Sequence, residues 1–474
     1  MSQHISRQWA LPAIAALLAL AMPLTSMAGT RSGKASKETV PELSTRLIIR
    51  LGEGNLDAPL LAKVRAVAAK QGLNLTHLRK LARGGDVLDL GKALPPETLH
   101  KLAAALTKLD SRIDYVEPDT VMVPMTLSDD KHVGVQWNLT ETAGGIRLAG
   151  AWARTRGQGV VVAVVDGGVR PHVDLADNLL PGYDFISNRT AARDGDGRDA
   201  NASDEGNWYT RGQCTSDQLG AEDSSWHGTH VAGTVAALAN NGIGVAGVAP
   251  GAKVLPVRVL GRCGGYTSDI IDGILWAAGV AVDGVPANPT PARVINLSLG
   301  SLAACGKSMQ LAVNAARDQG AVLVAAAGNS AIDVKKFSPA GCAGVISVGA
   351  TTRSGAQASY SNFGTGITVS APGGDMRAQA VDGVLSTLNS GTKRPATDVL
   401  AYMQGTSMAA PHVSGVVALM LARNPQLSVN RVEDLLRASA RPLPGACRGG
   451  CGAGIVDAAA AVTAAGTALL LSDN

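Results

Sequence analysis

The chain has 474 residues, 46% hydrophobic and 17% charged, with a formal net charge of +4. That length points to two or three folded units, and that balance excludes a disordered or fibrous chain. No block of Lys and Arg stands out, so no nucleic-acid partner is expected. Glycine is abundant (56 residues), a composition suited to tight turns and close backbone approach.

The first segment opens with His4 and Arg7, continues with an apolar run from Trp9 to Leu24, and offers small residues at Ser26-Met27-Ala28. This is the pattern of a signal peptide, placed at 1–28. The run is short and broken by Pro for a membrane span, the alternative being an uncleaved anchor. No later run is long enough, so no membrane is expected in the mature form. Export, to the periplasm or the medium, leads to an oxidising compartment. The six cysteines are therefore expected as disulfides, with free buried thiols as the alternative. Arithmetic leaves the pairing open; the expectation taken is that neighbours pair, Cys214 with Cys263, Cys305 with Cys342 and Cys447 with Cys451.

Residues 30–45 are polar and aperiodic, a linker. A small module follows, 45–119. It opens with the apolar strand Arg46–Leu51. A helix from Asp57 to Gln71 carries Leu60, Leu61, Val64, Val67 and Ala68 on one face. Strand Asp86–Leu90, a helix from Pro95 to Leu109 and strand Ile113–Glu117 complete a β-α-β-α-β order, read as a ferredoxin-like α+β module. Pro118 to His132 is looser. From Val133 the pattern changes to continuous apolar runs (Val160–Val165, Val254–Leu260, Val294–Leu297, Ala321–Ala327, Val345–Val348) alternating with helices (Thr229–Leu238, Ile270–Val280, Met309–Gln319, Ser407–Ala422). Such runs suit strands buried on both faces, so the fold class is α/β with a mostly parallel sheet between helices.

Three residue types needed for nucleophilic catalysis sit where such a sheet would use them, beyond the carboxyl ends of strands. Asp166 ends Val160–Val165. His227 opens a helix in His227-Gly228-Thr229-His230. Ser407 opens another in Gly405-Thr406-Ser407-Met408-Ala409. A serine hydroxyl is a poor nucleophile until a base takes its proton, and histidine has the pKa to take and return it. A buried carboxylate fixes the imidazole tautomer and stabilises the imidazolium. A helix N-terminus at Ser407 favours the developing oxyanion. Asn329, in Ala327-Gly328-Asn329-Ser330, is expected to supply a further amide donor. His230 and His412 share these motifs but their helical offset turns them away, and both are read as structural.

These four blocks, in the order Asp, His, Asn, Ser, resemble those of the subtilase family over roughly Val135–Ala460. The order differs from that of α/β-hydrolases, and Ala409 replaces the last Gly of G-x-S-x-G. The resemblance implies a subtilisin-like three-layer domain and a secreted serine endopeptidase working through an acyl-enzyme. It implies that substrate lies as an extra strand between Ser298-Leu299-Gly300 and Gly264-Gly265-Tyr266. The pocket for the residue before the scissile bond would be walled by Ala326, Ala327, Gly328 and Phe337–Gly341, with a cis-proline turn at Ser338-Pro339.

Structural calcium is also implied. One site would use Gln136, Asp174, Asn241 and the carbonyls of Ala239, Ile243 and Val245, all oxygen ligands. A second candidate is Asp194, Asp196 and Asp199 with Asp204, against the reading of a solvated acidic insertion. The small module, ending Tyr115-Val116-Glu117-Pro118-Asp119, resembles the family's propeptide, an intramolecular inhibitor and folding template removed between Val121 and Val135. The expected domains are thus a signal peptide 1–28, a propeptide 29–132 and a peptidase domain 133–474. Expected partners are protein or peptide substrates, with a monomer as the family default. The competing readings are a catalytically idle binding protein on the same fold, and an esterase or ligase using the same residues.

Overall fold

The computed structural model describes residues 22–23, 44–81, 84–119, 128–214 and 220–471. The expected signal peptide lies outside the described residues apart from Met22–Pro23. The described residues fall into two compact units, one within Ser26–Met125 and one within Thr126–Asn474 together with Met22–Pro23.

The small unit contains β1 (Ser44–Leu51), α1 (Ala58–Ala69), β2 (Thr76–Lys80), β3 (Asp86–Leu94), α2 (Pro96–Thr107) and β4 (Ile113–Pro118). Asp57 caps α1 by accepting the Leu60 N–H at 2.8 Å, satisfying one of the orphan donors of the first turn. Leu60, Val64 and Ala68 then fall on one buried face. They pack with Leu47, Ile49, Leu88 and Leu90 in a core of this unit's own. The antiparallel sheet runs β2-β3-β1-β4. It therefore holds one strand more than the expected order. The missed strand, β2, is exposed at every residue. An edge strand with no buried face shows no apolar alternation.

The large unit is built on a seven-stranded sheet. Its strands are β5 (Val161–Asp166), β6 (Tyr183–Asp184), β7 (Lys253–Arg258), β8 (Val294–Leu297), β9 (Val322–Ala326), β10 (Ile346–Thr351) and β11 (Val369–Pro372). The spatial order is β11-β10-β9-β8-β5-β7-β6, and every pairing is parallel. The strand period of two sorts side chains to opposite faces. Val162, Val164, Val254, Val294 and Val324 join one core; Ala163, Val165, Leu255, Ile295 and Leu323 join the other. The first is covered by α3 (His227–Ala236) and α6 (Thr406–Arg423), the second by α4 (Thr267–Ala277) and α5 (Lys307–Asp318). This is the α/β three-layer architecture, with helices on both faces. An antiparallel hairpin, β12 (Val384–Asn389) and β13 (Asp398–Met403), and the helices α7 (Val429–Ser439) and α8 (Ala458–Leu471) complete it.

Residues 128–132, expected with the first module, belong with the large unit. The His132 N–H donates to the Gly244 carbonyl at 2.9 Å, and the Asp130 carboxylate accepts the N–H groups of Asn240 and Asn241 at 3.0 Å each.

Candidate active site

Asp166 is the last residue of β5 and is fully buried. Its two carboxylate oxygens lie 2.9 and 3.0 Å from His227 Nδ1, and one also accepts the Gly167 N–H at 2.7 Å. That contact fixes the proton on Nδ1 and leaves Nε2 as the free base. The approach is close enough to demand glycine at 228: a Cβ there would lie 2.2 Å from the Gly168 carbonyl oxygen. Trp226, just before α3, holds a left-handed backbone (φ 49°), which costs a non-glycine residue about 1–2 kcal/mol. Its buried indole donates to the Gly391 carbonyl at 2.5 Å and anchors the turn that aims His227.

Burial alone would lower the His227 pKa. The charge of Asp166, its hydrogen bond and the charge of Asp204 outweigh it, and the imidazole lies above the ordinary value. Its side chain is 24% exposed, open enough to meet a substrate.

Ser407 is the second residue of α6, whose first turn is entered through Gly405 at φ 147°. Its hydroxyl donates to the Ser298 carbonyl at 3.2 Å, and the Ser298 hydroxyl donates back to the Ser407 carbonyl at 2.8 Å. No hydrogen bond joins Ser407 to His227 among the described residues. Such bonds commonly tighten only once substrate is bound, and one χ1 rotation redirects the hydroxyl. Asn329 is held by its oxygen, which accepts both the Thr406 N–H and the Thr406 hydroxyl at 2.9 Å. Its Nδ2 has no partner among the described residues, and the residue is exposed. That amide donor thus remains free beside Ser407. A carboxylate–imidazole pair, a hydroxyl at a helix N-terminus and a free amide donor are the parts that acyl transfer requires.

His230 and His412 are fully buried within their helices. His230 Nε2 reaches the carbonyls of Val384 and Ala401, and burial lowers its pKa to about 3. His412 Nδ1 lies 2.7 Å from the Met408 carbonyl, and burial lowers its pKa to about 4. Both are neutral fixtures of the core.

A cleft of about 470 Å³ opens beside the Asp166–His227 pair, and Gly264, Gly265, Ser298, Leu299 and Gly300 all line it. Tyr266 stands 63% exposed. The Ser338–Pro339 peptide is cis, and Ser338 and Pro339 line the same cleft. The structure closes the disulfides Cys214–Cys263, Cys305–Cys342 and Cys447–Cys451, and Cys263 sits on the cleft rim.

Asp194, Asp196 and Asp199 bring one oxygen each within 4.8 Å of one another. Asp204 does not join them. An Asx turn, with its carboxylate accepting the Gly206 N–H at 2.8 Å, carries it into the cleft beside Gly167 and His227. There burial pushes its pKa up to about 7. Asp194 is moreover paired with buried Arg258, which also holds Asp184. The four-aspartate reading is therefore corrected to three, with an arginine already in place. Asp204 is also a residue whose role the sequence reading missed; the Asp-x-Gly turn was its only signal.

At the first calcium candidate, Asp174 is fully buried with no cationic partner among the described residues. Burial pushes its pKa up to about 7, against hydrogen bonds from the Val245 N–H and the Asn241 amide. The Gln136 amide bonds the Ala246 backbone in both directions. No hydrogen bond reaches the carbonyls of Ala239, Ile243 or Val245 among the described residues. A buried carboxylate with no cationic partner among the described residues, beside carbonyls that accept no hydrogen bond, is a donor set that fits a hard divalent cation.

The family model described as the subtilase family matches residues 157–454. An extracellular protease of Xanthomonas campestris pv. campestris is 52% identical over 416 residues, covering 86% of this chain and 70% of its own. An extracellular basic protease of Dichelobacter nodosus is 40% identical over 438 residues, covering 90% and 71%. A solved protease structure from Pseudoalteromonas arctica is 52% identical with a TM-score of 0.70, covering 72% of this chain and all of that one. The chain belongs to the subtilase family, serine proteases that hydrolyse peptide bonds.

Proposed function

We propose that this chain is a secreted endopeptidase made as a zymogen, with Ser407 as nucleophile, His227 as general base and acid, Asp166 as the orienting carboxylate and Asn329 as oxyanion donor. The observation that carries it is the Asp166–His227 contact beside a serine at a helix start and an asparagine whose amide is free. In this mechanism His227 takes the Ser407 proton as Oγ attacks the scissile carbonyl. Asn329 Nδ2 and the first N–H groups of α6 receive the oxyanion. His227 then protonates the leaving amine, and water releases the acyl group by the same steps. Extended peptide would pair with Ser298–Gly300 and Gly264–Gly265, both of which face the cleft. Secretion is supported by the signal-peptide pattern, the three disulfides and the extracellular relatives.

The base works deprotonated, so activity climbs as pH rises through the His227 pKa. Because that pKa lies above the ordinary 6.5, the acid limb of kcat/KM should have its midpoint above pH 6.5. A pH series on a peptide substrate measures it, and a midpoint at or below 6.5 would contradict the role given to the neighbouring carboxylates.

The small unit, with a core of its own, is assigned as the propeptide that inhibits and templates the enzyme. We infer its removal upstream of Ser128; the hydrogen bonds that tie Asp130 and His132 to the large unit support that reading.

Calcium is assigned to Asp174, Gln136, Asn241 and the carbonyls of Ala239, Ile243 and Val245. When bound it supplies the counter-charge that Asp174 lacks. A ligand at a hundredfold its Kd stabilises by about 2.7 kcal/mol. EGTA should therefore lower Tm by about 5–10 °C in a large domain, and Asp174→Asn should abolish that difference. An unchanged Tm in EGTA would remove calcium from this site.

A further inference from the structure

Asp166 and His227 stand 61 residues apart in the chain, and one short segment, 202–208, holds the turns beside both. At the Asp166 end the Ala202 carbonyl accepts the Val169 N–H at 3.2 Å, and the Asp204 carbonyl accepts from Arg170 Nη1 at 3.4 Å. The fit there is tight: a Cβ on Gly168 would fall 2.6 Å from the Ala202 carbonyl oxygen and 2.9 Å from the Asp204 nitrogen. At the His227 end the Trp208 N–H donates to the Ser224 hydroxyl at 3.4 Å, and that hydroxyl donates to the Lys393 carbonyl at 2.5 Å. The segment is a strap between the turn that follows the acid and the turn that precedes the base.

Within the strap, Asn207 is half-buried and lines the cleft together with Asp166, Ser225 and His227. Its Oδ1 accepts the Ser225 N–H at 2.8 Å, and its Nδ2 donates to the Ser225 hydroxyl at 3.1 Å. Both ends of the amide are thus engaged by one residue, two positions before His227.

What those bonds hold is a strained turn. Trp226, between Ser225 and His227, keeps φ at 49°, and a left-handed non-glycine residue persists only where its surroundings over-determine it. Helix α3 has no side-chain cap of its own, so its entry turn is held from outside. The indole bond to the Gly391 carbonyl fixes one side of that turn, and Asn207 fixes the backbone that leads into it. Asp166 is set by the register of β5, so a loosened turn moves the imidazole rather than the carboxylate. The helix itself stays docked, because the Arg170 N–H donates to the Thr229 hydroxyl at 2.9 Å.

We propose that Asn207 is a positioning residue for the hydrolysis: it sets the turn that presents the His227 imidazole to Asp166 and to the substrate. It acts through His227 and touches no reacting atom. This rests on the assignment of His227 and Ser407 above. The charged groups facing the imidazole are Asp166 from β5 and Asp204 from the strap. Arg258 of β7 and Arg170, itself paired with Glu205, act on Asp204. Lys393 lies over the Trp208 ring, and His230, one turn along α3, is neutral. Asn207 carries no charge, so its loss shifts the His227 proton only by letting the ring drift from Asp166.

The test compares the native enzyme with Asn207→Ala and Asn207→Asp on succinyl-Ala-Ala-Pro-Phe-p-nitroanilide across pH, with Tm measured in parallel. Asn207→Ala should lose up to about 100-fold in kcat, the scale of a misplacement of about 1 Å, with KM nearly unchanged. The acid midpoint of its kcat/KM should move down, because an imidazole further from Asp166 gives up its proton more readily. Asn207→Asp keeps an oxygen for the Ser225 N–H, so it should recover most of the lost kcat, and its added negative charge should move the midpoint up. Folded Asn207→Ala with native kcat and native midpoint would overturn the positioning role while leaving the peptidase reading intact. So would two variants equally slow at an unmoved midpoint, which is the mark of a merely structural residue. If Asn207→Ala does not fold, Asn207→Asp decides alone: a large kcat loss at an unmoved midpoint overturns the role. Native protein that cleaves neither this peptide nor casein would overturn the peptidase reading as well.

Discussion

Ser407→Ala should lower peptide hydrolysis by about a millionfold, a figure taken over from subtilisin, while leaving the protein folded. The loss is chemical. The alanine methyl is smaller than the side chain it replaces, at a site where the hydroxyl makes one bond, to the Ser298 carbonyl. Removing it leaves that carbonyl facing the cleft that Ser298 lines, where water can replace the bond, so Tm should barely move. Activity should drop to what the oxyanion donors and binding alone provide. Adding His227→Ala should cost little more, because the two side chains act as one unit and their losses do not add. The same variant should keep its first module attached, since the proposed maturation uses the same nucleophile. The mass of the secreted product reports that directly. A Ser407→Ala chain trimmed to the native length would assign maturation to another protease.

Asn329→Ala should lower kcat by about 10²- to 10³-fold with KM nearly unchanged, again on the scale known for subtilisin. The structure explains why the effect belongs to the transition state. Its Oδ1 is occupied by Thr406, which turns Nδ2 outward with no protein partner among the described residues. The donor meets charge only when the carbonyl oxygen becomes an oxyanion. Asn329→Asp separates charge from shape: it keeps the size but turns the donor into an acceptor, so it should be at least as inactive as the alanine variant. Thr406→Val should show a smaller kcat loss, because it removes one of the two bonds that hold the asparagine, the backbone N–H bond remaining, without removing the donor. A drop in kcat/KM carried wholly by KM would place Asn329 in ground-state binding instead.

The Asp166, His227 and Ser407 blocks were legible because each is local. Asp166 ends an apolar run, and His227 and Ser407 each begin a helix beside a glycine, so strand and helix signals and chemistry coincide within a few residues. The parallel sheet was legible because its strands are buried on both faces. Signals fade where burial is one-sided or contacts are distant. Strand β2 shows solvent at every position. Asp204 stands among aspartates in sequence, and the grouping was drawn from that proximity. In space an Asx turn to Gly206 sets it in the cleft instead. Phe337 was placed in a pocket wall by resemblance. That its ring lies against both Gly300 and Gly328 depends on two strand ends brought together by the sheet, at separations of 37 and 9 residues in the chain. The calcium reading drew on one acidic residue and a loop. The unpaired carbonyls and the missing counter-charge of Asp174 emerge only from the hydrogen-bond pattern.

The most direct test of the central claim is the intact mass of the matured protein after treatment with phenylmethylsulfonyl fluoride, followed by peptide mapping. A serine activated by His227 should take one sulfonyl group, on Ser407, with activity lost in step with labelling. An unlabelled Ser407 in protein that still digests casein would show that the hydrolysis runs through another residue.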